Sequence, residues 1–177
     1  MKQPRLNMYT VNMKYIRDLS RVDSHVFSVS PQTGKSTRPF LGIIVICNDK
    51  QYCVPLSSPK PKHSSMKNDI DFSKVFDSDN KLIGVLNFNN MIPVSDSVLM
   101  RMDLKIHPHD SASIKRYKNL LIDQLTFCQK NQDAIVRKAN KLYNQIAQNK
   151  ANGLLKRRCC KFLELEKVLS KSNYSAD

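Results

Sequence analysis

The chain has 177 residues, 41% of them hydrophobic, and its 29 lysines and arginines against 15 acids give a net charge of +14 and an isoelectric point near 9.7. That length suits one domain with a packed core, and neither a membrane-spanning apolar run nor the continuous apolar stretch of a secretory signal is present. The basic surplus favours a polyanionic partner, nucleic acid before anionic membrane, because no basic amphipathic helix or lipidation signal stands out.

In chain order, Leu6–Val11 reads as a short strand, and Asn12 caps a helix carrying Ile16, Leu19 and Val22. Residues 24–39 form a polar loop ending at Pro39. Phe40–Cys47 and Gln51–Leu56 are apolar strands joined through Asn48-Asp49-Lys50, the clearest hairpin signal in the chain. Ser57–Ser73 is a long polar, basic loop without periodicity. Leu82–Phe88 and Met91–Val94 read as two further strands separated by Asn89-Asn90.

Beyond residue 110 the spacing turns helical. Ser111 or Ser113 caps a helix with Ile114, Tyr117, Leu121, Leu125 and Cys128 on one face. A second carries Ile135, Ala139, Leu142 and Ile146; Asn152-Gly153 ends it or follows it. A last helix contains Phe162, Leu165 and Leu169. Strands followed by helices, with no linker between, suggest a single α+β domain over residues 1–177. The five cysteines are odd in number and lack C-x-x-C spacing, which fits free thiols in a reducing cytoplasm.

Gly34-Lys35-Ser36 invites comparison with a phosphate loop. The motif needs a glycine where Val29 stands and a helix where Pro39 and the apolar strand follow, so no nucleotide cofactor is implied. Asp77–Lys81 begins like a calcium loop, but Leu82 replaces the required glycine and Phe88 the required glutamate. No metal site is expected, since the four histidines are scattered; His107-Pro108-His109 reads as a loop, and His25 receives no role.

The stretch richest in chemistry is Pro55-Leu56-Ser57-Ser58-Pro59-Lys60-Pro61-Lys62-His63. A buried strand ends and at once presents two hydroxyls, two lysines and a histidine. A hydroxyl can position a phosphate oxygen, a lysine can neutralise charge developing on phosphorus, and a histidine can move a proton near neutral pH. RNA supplies its own nucleophile, the 2′-hydroxyl, so such a set needs no metal to break a phosphodiester. The same stretch also reads as a solvated basic loop stiffened by prolines. Lys115, Arg116, Lys118, Lys138, Lys141, Lys156, Arg157 and Arg158 offer a second basic surface for a phosphate backbone. Tyr9, Tyr15, Tyr117 and Tyr143 are candidates for stacking bases, although Tyr117 lies on an apolar stripe.

Several stretches together resemble the ToxN/AbiQ endoribonuclease toxins of type III toxin–antitoxin systems. They are Tyr9-Thr10-Val11 with Tyr15-Ile16 and Leu19; Phe40-Leu41-Gly42-Ile43 through Tyr52 to Pro55-Leu56-Ser57-Ser58-Pro59-Lys60 and His63; Leu86-Asn87 with Met91-Ile92-Pro93; and Tyr117-Lys118, Leu121, Gln124-Leu125 and Phe127, then Cys160, Phe162 and Leu165-Glu166. The resemblance implies a twisted, partly barrelled antiparallel sheet with a Kid/MazF-like core and added helices. It also implies metal-independent cleavage of single-stranded RNA to 2′,3′-cyclic phosphate and 5′-hydroxyl ends. The family's functional serine falls on Ser58, the hydroxyl before it on Ser57 and its loop lysine on Lys60. A further lysine falls on Arg38, whose guanidinium keeps the charge but cannot act as a base. A tyrosine that some relatives carry falls on Gly34.

Hairpin topology alone places the Lys35–Arg38 loop and the Ser57–His63 loop at one end of the Phe40–Leu56 hairpin. The expected catalytic set is Ser58, Lys60, Arg38, Ser57 and His63, with Lys35, Lys62, Tyr15, Tyr9, Lys115, Arg116, Lys118, Lys156, Arg157 and Arg158 binding RNA. The expected partners are a repetitive, structured RNA antitoxin in a closed multimeric assembly and cellular or phage RNA substrates, without a membrane or small-molecule cofactor. A non-catalytic RNA-binding protein is the competing reading. A DNA-binding regulator would need a recognition helix that no segment supplies.

Overall fold

Asn48 and Asp49 both adopt positive φ, 48° and 60°, the conformation of the two-residue turn that matches the twist of paired strands. They join β2 (Phe40–Cys47) to β3 (Lys50–Ser57), whose register sets Cys47 against Lys50 and Gly42 against Pro55. In the computed structural model, which describes residues 2–26, 40–171 and 174, this hairpin is the centre of a seven-stranded, wholly antiparallel sheet. β1 (Met8–Val11) flanks β2, and β7 (Leu99–Arg101) flanks β1. β4 (Phe72–Phe76) pairs with β5 (Leu82–Asn87), which joins the end of β3. β6 (Ile92–Pro93) lies against the start of β3.

The two strands expected on either side of Asn89-Asn90 are β5 and β6. A 3-10 turn at Phe88–Asn90 separates them, and both share an edge of β3. The break in pairing coincides with Pro55, which has no N–H to donate. β4 and β7 were not expected. β4 starts inside what reads as a polar loop and closes its hairpin through Asp77, whose carboxylate accepts the N–H groups of Asp79 and Lys81. The sheet path ends at β4 and β7 and is open among the described strands. The α+β class holds, whereas a barrelled, Kid/MazF-like core is not established by this topology.

Helix α1 (Met13–Val22) begins where expected, the Asn12 side chain accepting from Lys14 N and Tyr15 N at 2.9 and 3.1 Å. Helices α2 (Ala112–Lys130), α3 (Gln132–Ala147), α4 (Gly153–Arg158) and α5 (Phe162–Lys171) complete the helical part. Asn152 is the cap that opens α4, accepting from Leu155 N at 2.9 Å, so Asn152-Gly153 starts a helix. The stripe on α2 is buried only in part: Leu121 and Cys128 are inside, while Ile114 and Tyr117 are 45% and 46% exposed.

Sheet and helices meet in one apolar cluster running from Leu6 and Met8 through Ile43, Val45 and Tyr52 to Leu142, Phe162 and Leu165. Two bare backbones permit the packing. A Cβ on Gly42 would lie 2.3 Å from the Val54 carbonyl oxygen. One on Gly84 would lie 2.8 Å from the Gln124 amide nitrogen, which crosses from α2 to bond the Ile83 carbonyl. All five cysteines are free and buried; burial pushes the thiols of Cys47, Cys128 and Cys159 up to about 12.

Candidate active site

β3 is paired on both edges and ends at Ser57, so the segment that follows leaves from a rigid point. Ser57 is half-buried and Ser58 exposed. Pro59 and Pro61 stiffen the exit, and Pro61–Ser64 winds into a 3-10 turn rather than an open loop. His63 closes that turn. It is 6% exposed, its Nδ1 accepts the Lys60 N–H at 2.8 Å, and its own N–H bonds the Lys60 carbonyl at 2.9 Å. An accepting Nδ1 places the ring proton on Nε2. The ring packs on Phe72, centroids 5.2 Å apart.

Burial first, then the charges of Lys62, Lys60 and Lys74, hold the His63 pKa below the usual histidine range. The imidazole is thus mostly neutral at pH 7, and its Nδ1 is engaged in shaping the turn. The same three ammonium groups form a positive field over the turn. Lys60 and Lys62 are exposed, while Lys74 donates to the Ser64 carbonyl at 3.0 Å and secures the far end of the segment.

The register explains how these groups share one side of the sheet. Ser57 lies opposite Val85, and Val85 opposite Lys74; in the next row on that face Asn87 faces Phe72. Asn87 Nδ2 donates to Ser57 Oγ at 3.1 Å. The alternate face carries Leu56, Leu86 and Ser73, and there Lys138 reaches in from α3. Its ammonium donates to Ser73 Oγ at 2.6 Å and sits over the Phe88 ring, and burial holds its pKa below the usual lysine range. Lys138 is half-buried and ties α3 to β4.

Tyr15 is a core residue, fully buried, its hydroxyl donating to the Pro93 carbonyl at 2.6 Å; it is not available to stack a base. Tyr143 is likewise buried, bonded to Glu166. Lys118 is 13% exposed, paired with Asp110 at 2.8 Å and bonded to the Lys105 carbonyl. Arg158 is half-exposed and pairs with Asp71 at 2.9 Å, which ties the end of α4 to the start of β4. Lys156, Arg157 and Arg116 are exposed and Lys115 half-exposed. Tyr9 is half-buried and lines a groove of about 420 Å³ with Lys2, Arg5 and Arg101. Lys35 and Arg38, and with them the expected meeting of the two loops, lie outside the described residues.

Sequence reasoning gave no role to Asn87 or Lys74, which reach the site only through strand pairing. His25 was also passed over. Its Nδ1 faces the buried Asp23 carboxylate at 2.8 Å and its Nε2 the Arg157 carbonyl at 2.7 Å, which joins residues 23–26 to α4. Among the described residues no group of three histidines, cysteines, aspartates or glutamates is placed to hold a metal ion, and no helix is long and apolar enough to cross a membrane.

Comparison with known proteins places the chain in a class. Residues 7–170 match the family of toxin ToxN of the type III toxin–antitoxin system. Endoribonuclease ToxN of Bacillus thuringiensis subsp. kurstaki is 34% identical over 163 residues, covering 89% of this chain and 79% of that protein. Two solved structures share the fold. One, of a study on selective toxin inhibition by a non-coding RNA pseudoknot, superposes with a TM-score of 0.76 at 29% identity, over 95% of this chain and 98% of the other. The second is AbiQ, a lactococcal anti-phage endoribonuclease, with a TM-score of 0.78 at 26% identity, over 94% and 97%. The chain and its fold fall in the class of endoribonuclease toxins. Within that class, the chain belongs to the ToxN family of type III toxin–antitoxin systems.

Proposed function

We propose that this protein cleaves single-stranded RNA without a metal, at the segment Ser57–His63, leaving 2′,3′-cyclic phosphate and 5′-hydroxyl ends. The observation that carries the reading is the pinned, positively charged turn at the end of a strand paired on both sides: two hydroxyls precede it, and Lys60, Lys62 and Lys74 surround it. The 2′-hydroxyl of the RNA gives up its proton to water as its oxygen attacks the adjacent phosphorus, the P–O5′ bond breaks, and the 5′-oxygen leaves with a proton taken from water. Ser58, exposed at the head of the turn, contacts the reacting phosphate, and Ser57 stands beside it. Lys60 and Arg38 neutralise the charge that gathers on the non-bridging oxygens; positioned donors of this kind each contribute about 10²–10³ in rate. His63 shapes the turn that presents Lys60.

Among the nearby carboxylates, Asp71 pairs with Arg158 and Asp69 accepts the Ile70 N–H. Lys62, Lys156, Arg157 and Arg158 extend the charged track for the strand, and Tyr9 with Arg101 offers a stacking groove beside β1. An RNA antitoxin occupies the same surface, in a closed assembly of protein and RNA within the bacterial cytoplasm, and restrains the toxin until phage infection frees it. Ser58→Ala tests the assignment against a purely RNA-binding protein. Cleavage should fall at least a hundredfold while RNA affinity stays within about threefold. Unchanged cleavage would remove Ser58 from the site.

A further inference from the structure

The last residues of β3 and β5 are joined side chain to side chain, the Asn87 amide donating to Ser57 Oγ over 3.1 Å. A serine hydroxyl has one hydrogen and two acceptor lone pairs. A neighbour that donates to the oxygen uses a lone pair and leaves the hydrogen to point elsewhere. Asn87 is well held for that task. Its backbone pairs with Phe72, and the next residue, fully buried Phe88, begins the 3-10 turn. Ser57 itself is still in the ladder, opposite Val85. The donor and the hydroxyl thus both stand on rigid strand ends, while Ser58 belongs to the segment beyond.

We propose that Asn87 is a positioning residue for RNA cleavage. It fixes the Ser57 hydroxyl with a lone pair toward β5 and its hydrogen toward the bound RNA, so that Ser57 acts as a donor to a non-bridging phosphate oxygen. The inference rests on the reading that RNA is cut at this segment. A residue that merely knits β5 to β3 would act independently of the Ser57 hydroxyl; a positioning residue acts only through it.

The experiment is a double-mutant cycle with steady-state kinetics on cleavable RNA and, in parallel, affinity for the same RNA with 2′-O-methyl groups, which cannot be cut. Asn87→Ala should lower kcat about tenfold with KM changed less than about twofold, the loss expected of one neutral hydrogen bond that matters mainly in the transition state. Asn87→Asp keeps the shape but can only accept. It would capture the Ser57 hydrogen and set a negative charge beside the phosphate, so kcat should fall about a hundredfold, close to Ser57→Ala. In the Ser57→Ala background, Asn87→Ala should cost less than about twofold more.

Full activity in Asn87→Asp would show that Ser57 donates to the amide and would overturn the proposal, as would losses that simply multiply in the double variant. Full activity in Ser57→Ala would also overturn it. If the wild-type protein cuts no RNA, the cleavage reading fails by itself and the binding arm decides the orientation. Weaker binding of the methylated RNA by Asn87→Asp only when Ser57 is present supports the oriented hydroxyl, and equal weakening in both backgrounds refutes it.

Discussion

Glu166 is the most exacting test of how the sheet that carries the site is held. Its Oε1 accepts the hydroxyls of Tyr52 at 2.7 Å and Tyr143 at 2.9 Å, and its Oε2 pairs with Lys50, so one carboxylate ties α5 to the start of β3 and to α3. Tyr52 is fully buried and Tyr143 2% exposed. In Glu166→Ala each hydroxyl loses its acceptor, at about 1–3 kcal/mol apiece. The half-exposed Lys50 pair adds less than about 1 kcal/mol. The expected loss is therefore about 3–5 kcal/mol, a large share of the stability of an ordinary domain. Urea unfolding at pH 7 measures it, as a lower midpoint at unchanged slope.

The dependence on pH gives a second reading of the same group. Burial alone would raise the Glu166 pKa, but Lys50, Tyr52 and Tyr143 together hold it below the usual carboxylate range. The stabilisation is complete above the unfolded value near 4.3 and fades as pH falls through the folded value. The gap between wild type and Glu166→Ala should therefore narrow in acid. Tyr52 lies roughly 16 Å along β3 from Ser57, at about 3.3 Å per residue, so cleavage by the folded variant should be unchanged. A midpoint shift worth less than about 1 kcal/mol would refute the reasoning.

His63→Asn keeps an acceptor for the Lys60 N–H and should cleave RNA at pH 7 within about threefold of wild type, whereas loss of a proton carrier would cost about 10²–10⁴. Because the His63 pKa is lowered in the fold, wild-type stability should be complete above about 6.5 and decline as pH falls below it; thermal melts should show that slope flattened in His63→Asn. Tyr15→Phe should cost about 1–2 kcal/mol in urea unfolding through its lost bond to Pro93 and leave RNA affinity unchanged. Lys156→Gln with Arg157→Gln should weaken binding to all single-stranded RNAs alike and reduce the salt slope by roughly 1.4, about 0.7 for each phosphate no longer neutralised.

Local chemistry made some of this molecule legible from residues alone. Asn48-Asp49 between two apolar runs can form few structures other than the tight turn seen, and Asn12 before a helical stripe is a cap by its hydrogen-bonding capacity. The Ser57–His63 segment declared its residue types equally plainly. What stayed hidden depends on partners distant in the chain. β4 is buried because β5 and α2 cover it, and nothing within Phe72–Phe76 records that. Tyr15 and Lys118 look like surface binders until Pro93 and Asp110 arrive to occupy them. His63 carries the right chemistry for proton transfer, yet the Lys60 N–H three residues back claims its Nδ1. Asn87 comes to Ser57 across 30 residues of chain, through a strand register that spacing does not reveal.

The central claim is tested most directly by the ends of the RNA. Purified, RNA-free protein would be incubated with a single-stranded RNA pool in EDTA, and the fragments analysed chemically, with Ser58→Ala alongside. Fragments bearing 2′,3′-cyclic phosphate and 5′-hydroxyl ends, absent with Ser58→Ala, are the expected result. RNA that binds the wild-type protein but stays intact in EDTA, or fragments that carry 5′-phosphates, would contradict cleavage by 2′-hydroxyl attack at the Ser57–His63 turn.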